Sequence, residues 1–313
     1  METGNSIENL KKQAFASLKE GDAEKSLEIL QSALRIDFDD KELLWTLKCV
    51  NWWLEKIKCL EGIGAPYDQG FFVMSQWKGF YGFLDKIGES FDNSRYAVRH
   101  FVSSIALRAF LEACACGPPR HDPPLDLELG RCYKGLGDYE AALERVKKAA
   151  QFMRESGGAL AELADIYALT GEEERAKGWF REAFFVNPEG IDIHSMESSI
   201  IVKLARAVRA LGIPSDALNE WIPVYGSLLG VFSVKRSLQP PELGKLKQAI
   251  FTLENDVRNN GDNDVLVPKL LNKYLWLLDH YENANEKSAS INEVLLKIKL
   301  IDPSIYERYM SVK

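Results

Sequence analysis

With 313 residues, the chain is long for a single compact core. Its 46% apolar and 27% charged residues are ordinary for a soluble globular protein. The formal net charge of −7 argues against nucleic-acid binding, which needs a basic footprint. Apolar residues recur at helical spacing almost throughout, and the two-residue alternation of strands is nearly absent. The sequence therefore predicts an all-α protein.

The N-terminal residues carry no recognisable targeting signal. A basic stretch followed by an apolar run and a cleavage site is missing, and residue 2 is not glycine. The longest apolar-looking stretch, 97–115, is interrupted by Arg99, His100, Arg108 and Glu112, which a membrane span would not tolerate. Five cysteines, an odd number, favour reduced thiols. We expect a cytoplasmic protein without membrane insertion.

The N-terminal part of the chain begins with a predicted helical hairpin over residues 7–36, in which Gly21 and Asp22 form the turn. Glycine suits the positive φ that ends a helix, and an acid suits the start of the next one. Further helices are predicted near 41–60, 71–87 and 94–116. Loops are predicted at Gly62–Gly70, between the first two of these, and at Gly117–Pro124 after the third.

Aromatic residues are concentrated in residues 45–101, which hold 13 of the chain's 33 aromatic side chains. One interpretation is an exposed platform for a partner protein, because aromatic residues dominate binding hot spots. The other is a large core that joins non-standard helices. Trp45 and Trp52 are seven residues apart, and hence on one helix face, as core residues would be. The core interpretation is favoured.

Two stretches in the middle of the chain match each other at a spacing of 34 residues. The matched pairs are Leu129 with Leu163, Gly130 with Ala164, Tyr133 with Tyr167, Gly137 with Gly171, Ala142 with Ala176 and Ala149 with Ala183. A fixed period of this length is typical of stacked helical hairpins.

This period and these residue types resemble the tetratricopeptide repeat (TPR) family. The resemblance is strongest over 123–190, where Pro188 stands at the family's repeat-ending proline. It is partial over 7–40 and weaker over 198–231, whose turn glycine, Gly212, follows about seven extra residues. The resemblance implies a right-handed superhelical solenoid of helix–turn–helix hairpins, here with an irregular N-terminal insertion and a helical C-terminal cap. Such a stack presents extended concave binding surfaces.

The C-terminal third is predicted to be helical but off the repeat pattern. Helices are expected near 241–258, 265–282 and 290–300, followed by a short one from Pro303. Four segments result. They are an N-terminal TPR-like hairpin with its following helix (1–60), an irregular aromatic-rich helical unit (61–118), a regular TPR array (119–231) and C-terminal helical hairpins or cap (232–313).

The sequence shows no familiar catalytic or phosphate-binding motif, and we predict no enzyme activity and no cofactor. The nearest approach to a metal site is the set Cys114, Cys116, His121 and Cys132. Cysteines two apart on a helix point to different faces, and zinc motifs usually space them by two to four residues within a turn. Buried free cysteines are the preferred interpretation, so no metal site is predicted.

The TPR resemblance also implies where a ligand would bind, since the family's concave surface is lined by the first helix of each repeat. This register selects Arg131 and Lys134 in the second repeat and Asp165 in the third. Aligned on its turn glycine, the fourth hairpin adds Arg206 and Arg209. Four cations with one acid would suit an acidic segment or a C-terminal carboxylate. The alternative is that these are ordinary solvated cations.

By this resemblance, the protein is predicted to be a protein–protein interaction scaffold or adaptor that binds a peptide, helix or loop of a partner. A different possibility is a structural subunit of a homo- or hetero-oligomer, assembled through repeat faces without peptide binding. An enzyme hidden in the irregular parts is disfavoured because no catalytic constellation is present. The oligomeric state and the identity of the partner are left open.

Overall fold

The structure is a computed structural model that describes residues 2–116, 122–260, 263–286 and 288–312. Every regular element in these residues is a helix, which confirms the predicted all-α class. The sixteen α-helices are α1 Glu2–Lys19, α2 Ala23–Leu34, α3 Lys41–Lys58, α4 Pro66–Ser75, α5 Trp77–Ile87, α6 Asp92–Ala115, α7 Pro123–Leu136, α8 Tyr139–Phe152, α9 Gly157–Leu169, α10 Glu173–Val186, α11 Ser199–Arg209, α12 Leu218–Leu228, α13 Pro240–Asn259, α14 Leu266–Asn283, α15 Ser288–Ile301 and α16 Pro303–Val312. Short 3₁₀ helices lie at Cys59–Gly62, Pro188–Gly190 and Ile193–Ser195.

The chain forms two compact units, Met1–Ala149 and Ala150–Lys313, and the finer division into four segments stays a prediction. We call them the N-terminal unit and the C-terminal unit. Each has its own cluster of buried apolar side chains.

The first predicted hairpin is present as α1 and α2. Gly21 adopts the left-handed φ of +89° between the two helices, and the Asp22 side chain accepts the backbone N–H of Lys25 to cap α2. These are the turn and the cap expected from a Gly-Asp pair. Ala14 and Ala33 are fully buried, so small side chains lie at the contact between the helices.

The aromatic-rich segment is mainly core. Trp45, Trp53, Phe80 and Phe101 are buried in the cluster that joins α3, α4, α5 and α6. The Trp53 ring centroid lies 4.9 Å from that of Trp77, edge to face. Burial of these rings supports the core interpretation over an exposed platform.

Helix α6, 24 residues long, is the central element of the N-terminal unit and packs against α1, α3, α4 and α7. Two of these contacts require glycine. A Cβ on Gly70 of α4 would lie 2.4 Å from the Phe110 ring, and one on Gly135 of α7 would lie 2.1 Å from the Ser103 hydroxyl. Both distances are below any that real Cβ atoms adopt, so these helices approach α6 only because the side chain is missing.

The predictions around α4, α5 and α7 need correction. The predicted loop Gly62–Gly70 is wrong in its second half, because Pro66 opens α4 at a position where a missing N–H costs nothing. The predicted single helix 71–87 is two helices, since the N–H of Gln76 bonds to Val73, three residues back, in a tightened turn. Pro123 and Pro124, predicted in a loop, open α7. Residues 117–121 of that loop lie outside the described residues, and Asp122 caps α7.

The fourth predicted hairpin is α11 and α12, but its register differs from that of the repeats. Gly212 has the expected left-handed φ of +78°. Helix α8 begins two residues after Gly137, whereas α12 begins six residues after Gly212, at Leu218. Pro214 and the turn around it take up these positions. Ala217, aligned with Ala142, is buried, but it precedes its helix instead of lying within it.

The C-terminal helices follow the prediction closely, with α13 to α16 at nearly the expected residues. Helix α14 is their core element. Eleven of its residues are buried, and it packs against α12, α13 and α15.

Candidate functional site

The matched stretches form two hairpins with the same internal geometry, α7–α8 and α9–α10. Their helices begin at Pro123 and Gly157, 34 residues apart (157 − 123), and the turn glycines Gly137 and Gly171 have φ of +85° and +84°. The four matched alanines, Ala142, Ala149, Ala176 and Ala183, are fully buried.

Close helix contact explains the small residues of these hairpins. A Cβ on Gly130 would lie 2.3 Å from a methyl carbon of Val146 and 3.2 Å from the Ala142 carbonyl oxygen. The matching Ala164 is itself fully buried. The first hairpin thus closes through a close approach of α8 to Gly130, which a side chain at this position would prevent, and the buried Ala164 occupies the matching position of the second.

The predicted groove residues of α7 are largely engaged within the protein. The Arg131 guanidinium lies 2.6 Å from a carboxylate oxygen of Glu128, on the same helix, and is partly exposed. Lys134 is only 4% exposed. Arg131 could meet a ligand at its exposed edge, but Lys134 is withdrawn from solvent.

Asp165 of α9 is fully buried and serves the fold. Its carboxylate accepts the backbone N–H of Ser198 at 2.8 Å and that of Glu197 at 3.0 and 3.1 Å. These N–H groups belong to the start of α11, where an anion is favoured. The extra residues before the fourth hairpin place the start of α11 next to Asp165. No local sequence pattern predicts this contact.

Arg206 and Arg209 are exposed on α11, three residues apart, and Lys203 is exposed one turn earlier. We call these three residues the α11 cation face. Within the described part of the chain, none of the three forms an ion pair. This face is the part of the predicted set that remains available to an anionic ligand, and the sequence reasoning missed Lys203.

The N-terminal unit carries an open cleft that the sequence did not indicate. It has a volume of about 530 Å³ and lies where the α1–α2 turn faces α3 and α6. We call it the turn cleft. Its lining residues are Glu20, Gly21, Asp22, Ala23, Glu24, Leu54, Ile57, Phe101, Ile105 and Arg108.

The turn cleft combines an apolar floor with an acidic rim. Leu54, Ile57 and Ile105 are partly buried and rest on the aromatic core. The carboxylates of Glu20, Asp22 and Glu24 and the guanidinium of Arg108 are exposed around them. Among the residues that line the cleft, three negative charges and one positive charge give a net charge of −2, and Lys19 and Lys25 flank these acids in the chain.

A second group of ionisable residues is buried in the C-terminal unit. Burial raises the pKa of the Glu220 carboxyl to about 7, and burial lowers the pKa of the Lys273 ammonium to about 8. Lys273 donates to the Phe185 carbonyl at 2.8 Å, and the Lys269 ammonium lies 4.0 Å from Glu220. These groups make the stability of the C-terminal unit depend on pH, because their charged forms are held away from water.

Three of the four residues of the disfavoured metal set are described. Cys114 and Cys116 are exposed, so the prediction of buried cysteines is wrong for these two, whereas Cys132 is buried, 3.8 Å from the Met74 sulfur. Burial raises the pKa of the Cys132 thiol well above its ordinary value. His121 lies outside the described residues.

Neither a protein-family model nor a curated protein sequence matches the chain. None of the helices in the described residues is long and apolar enough to cross a lipid bilayer.

Proposed function

We propose that the protein is a TPR-like interaction scaffold or adaptor, without enzyme activity of its own, that binds a segment of a partner protein in the cytoplasm. The observation that carries the proposal is the pair of matched hairpins, α7–α8 and α9–α10. Their left-handed turn glycines and fully buried small residues recur at the 34-residue period. Hairpins of this kind stack into solenoids whose extended surfaces bind other proteins.

The α11 cation face supports the finer proposal of an acidic segment as ligand. Lys203, Arg206 and Arg209 are exposed, and arginine offers a carboxylate two parallel hydrogen bonds. Arg131 lies in the other compact unit and is not part of this face. Lys134 and Asp165 are removed from the proposed ligand surface because both are buried.

The scaffold proposal is tested by purifying the tagged full-length chain from its native cells after mild chemical crosslinking. Mass spectrometry should identify a partner protein crosslinked to this chain at defined residues. If the protein instead elutes only as a homo-oligomer, with crosslinks between copies alone, the alternative of a structural subunit is favoured. Light scattering of the pure protein gives the mass that separates the two.

The acidic-segment proposal is tested by R206E/R209E in the same assay. We expect recovery of the partner to fall about tenfold, because two cations that face a carboxylate become repulsive. The matched control is K12E/K245E, which changes the net charge equally at exposed lysines of α1 and α13. Full retention of the partner by R206E/R209E at physiological salt would refute the acidic ligand and leave the scaffold proposal intact.

A further inference from the structure

The acidic rim of the turn cleft is only partly explained by the needs of the fold. Asp22 caps α2, and Glu24 lies in its first turn, where an acid is favourable. Glu20 follows the last residue of α1, where a carboxylate faces the negative end of the helix dipole. The Glu20 charge therefore lowers the stability of α1, and the fold itself does not explain why an acid lies at this position.

The charged rim residues are also free of ion pairs. Among the described residues, Glu20, Asp22, Glu24 and Arg108 form no salt bridge. Arg108 nevertheless lies beside the turn, with a guanidinium nitrogen 3.9 Å from where a Cβ on Gly21 would be. The Glu20 and Glu24 carboxylates thus remain available around an apolar floor, while one oxygen of Asp22 caps α2. Arg108 is the one cation among the residues that line the cleft.

The floor is accessible and apolar. Leu54, Ile57 and Ile105 keep part of their surface in water although they rest on the buried core. The cleft is open to solvent, with a volume of about 530 Å³, so an extended chain can enter it from outside. A ligand that covers this floor would remove apolar surface from water on both partners.

We propose that the turn cleft binds a basic amphipathic segment of a partner protein, with an apolar side chain on the floor and flanking Lys or Arg side chains paired with Glu20, Asp22 and Glu24. This inference rests on the proposed function as a scaffold and adds a second surface and a ligand chemistry opposite to that of the α11 cation face. The long aliphatic stems of Lys and Arg can also cover apolar surface while their charges reach the rim.

The test is selection of phage-displayed random 12-residue peptides on the immobilised full-length protein. We expect the enriched peptides to combine apolar residues with an excess of Lys and Arg. Fluorescein-labelled synthetic copies should bind E20K/E24K about tenfold more weakly than wild type, and their affinity should fall with rising salt. A floor variant, Ile57→Gln, should weaken the same peptides without changing their salt dependence.

The matched control is E173K/E307K, which makes the same charge change at two exposed acids of the C-terminal unit and should bind like wild type. Circular dichroism of each variant confirms that its helices are intact. Enrichment of acidic peptides, no enrichment, or equal binding to E20K/E24K would each overturn the inference. The crosslinking experiment judges the scaffold proposal separately, so a failed cleft and a failed scaffold are distinguishable.

Discussion

The two units differ in how many charged groups they bury. The N-terminal unit packs aromatic rings around Trp53 and Phe80 and buries two lysines, Lys11 and Lys134. The C-terminal unit also buries aromatic rings, but it buries a larger set of charged groups. In the C-terminal unit, the Arg181 guanidinium contacts the Asp279 carboxylate, and both side chains are almost fully buried. Arg181 also donates to the Phe232 carbonyl at 2.6 Å, so it fixes the irregular segment that precedes α13.

One helical chain can therefore hold cores with different sensitivities. Aromatic packing is sensitive to lost volume and nearly indifferent to pH. Buried ionisable groups are sensitive to protonation, because a charge held away from water shifts the pKa and couples stability to pH. Single substitutions can separate these two contributions.

Trp53→Ala should cause the largest loss of folding stability. The ring is fully buried against Trp52, Trp77 and Phe80, so its removal leaves a cavity in a rigid core and should cost about 3–5 kcal/mol. Urea unfolding followed by hydrogen exchange of the N-terminal unit measures the loss, which should be the same at pH 5 and pH 8. Trp179→Ala, at a ring that is 36% exposed, is the control and should cost far less. Equal losses in the two variants would contradict the aromatic core.

Glu220→Gln should reveal the pH sensitivity of the C-terminal unit. Burial raises the pKa of Glu220 from an ordinary 4.5 to about 7, so the folded state keeps a proton that the unfolded state loses. The stability tied to this proton is complete below about pH 4.5 and is lost as the pH rises through 7. Glutamine does not ionise, so the free energy of unfolding of Glu220→Gln should rise relative to that of wild type as the pH increases, by about 3 kcal/mol at most.

The readout is the melting temperature of wild type and Glu220→Gln at pH 5, 6, 7 and 8. Lys269, Lys273 and Glu189 are the charged groups that influence Glu220, so Glu189→Gln is the matched control. Glu189 is exposed, and its variant should show no gain that grows with pH. A constant difference between Glu220→Gln and wild type across this range would exclude Glu220 as the titrating group.

Ala142→Leu and Ala176→Leu test what the two units share. Both alanines are fully buried at matched positions of the repeated hairpins, so the larger side chain should overpack either hairpin at a cost of about 1–3 kcal/mol. Ala207→Leu, on the exposed side of α11, should change stability little. Unchanged melting temperatures in both core variants would refute the repeat register.

Asp165→Ala should have the smallest and most local effect, about 1–2 kcal/mol, because it leaves the backbone N–H groups of Glu197 and Ser198 without their acceptor. Hydrogen exchange should rise in the first turn of α11 and stay unchanged in α13. Protection of α11 that matches wild type would show that the carboxylate does not hold this helix start.

The predictable parts of the fold are those that depend on residues close together in the sequence. Gly137 and Gly171 predict turns because glycine adopts a positive φ readily, and both have one. Ala142 and Ala176 predict close helix contacts because their side chains are small, and both are fully buried. The burial of Asp165 was not predictable, because its partners are backbone groups more than thirty residues along the chain. The turn cleft was missed for the same reason. The cleft is lined by residues of the first hairpin together with Ile57 and Ile105. The spacing of apolar residues predicts helices, but it does not predict which later helix packs beside an earlier turn.

The contacts of α6 bear on how the N-terminal unit assembles. Helices α1 and α6 touch, yet their nearest ends, Lys19 and Asp92, are 73 residues apart along the chain (92 − 19). In a simple solenoid each repeat contacts only its neighbours, so folding can spread from one end and terminal repeats can be trimmed one by one. A contact this distant in sequence slows folding and ties the ends of the segment into a single cooperative step. Deletion of α1 and α2 is therefore expected to destabilise α6, which contacts α1, as well as the sequence neighbour α3, which contacts α2.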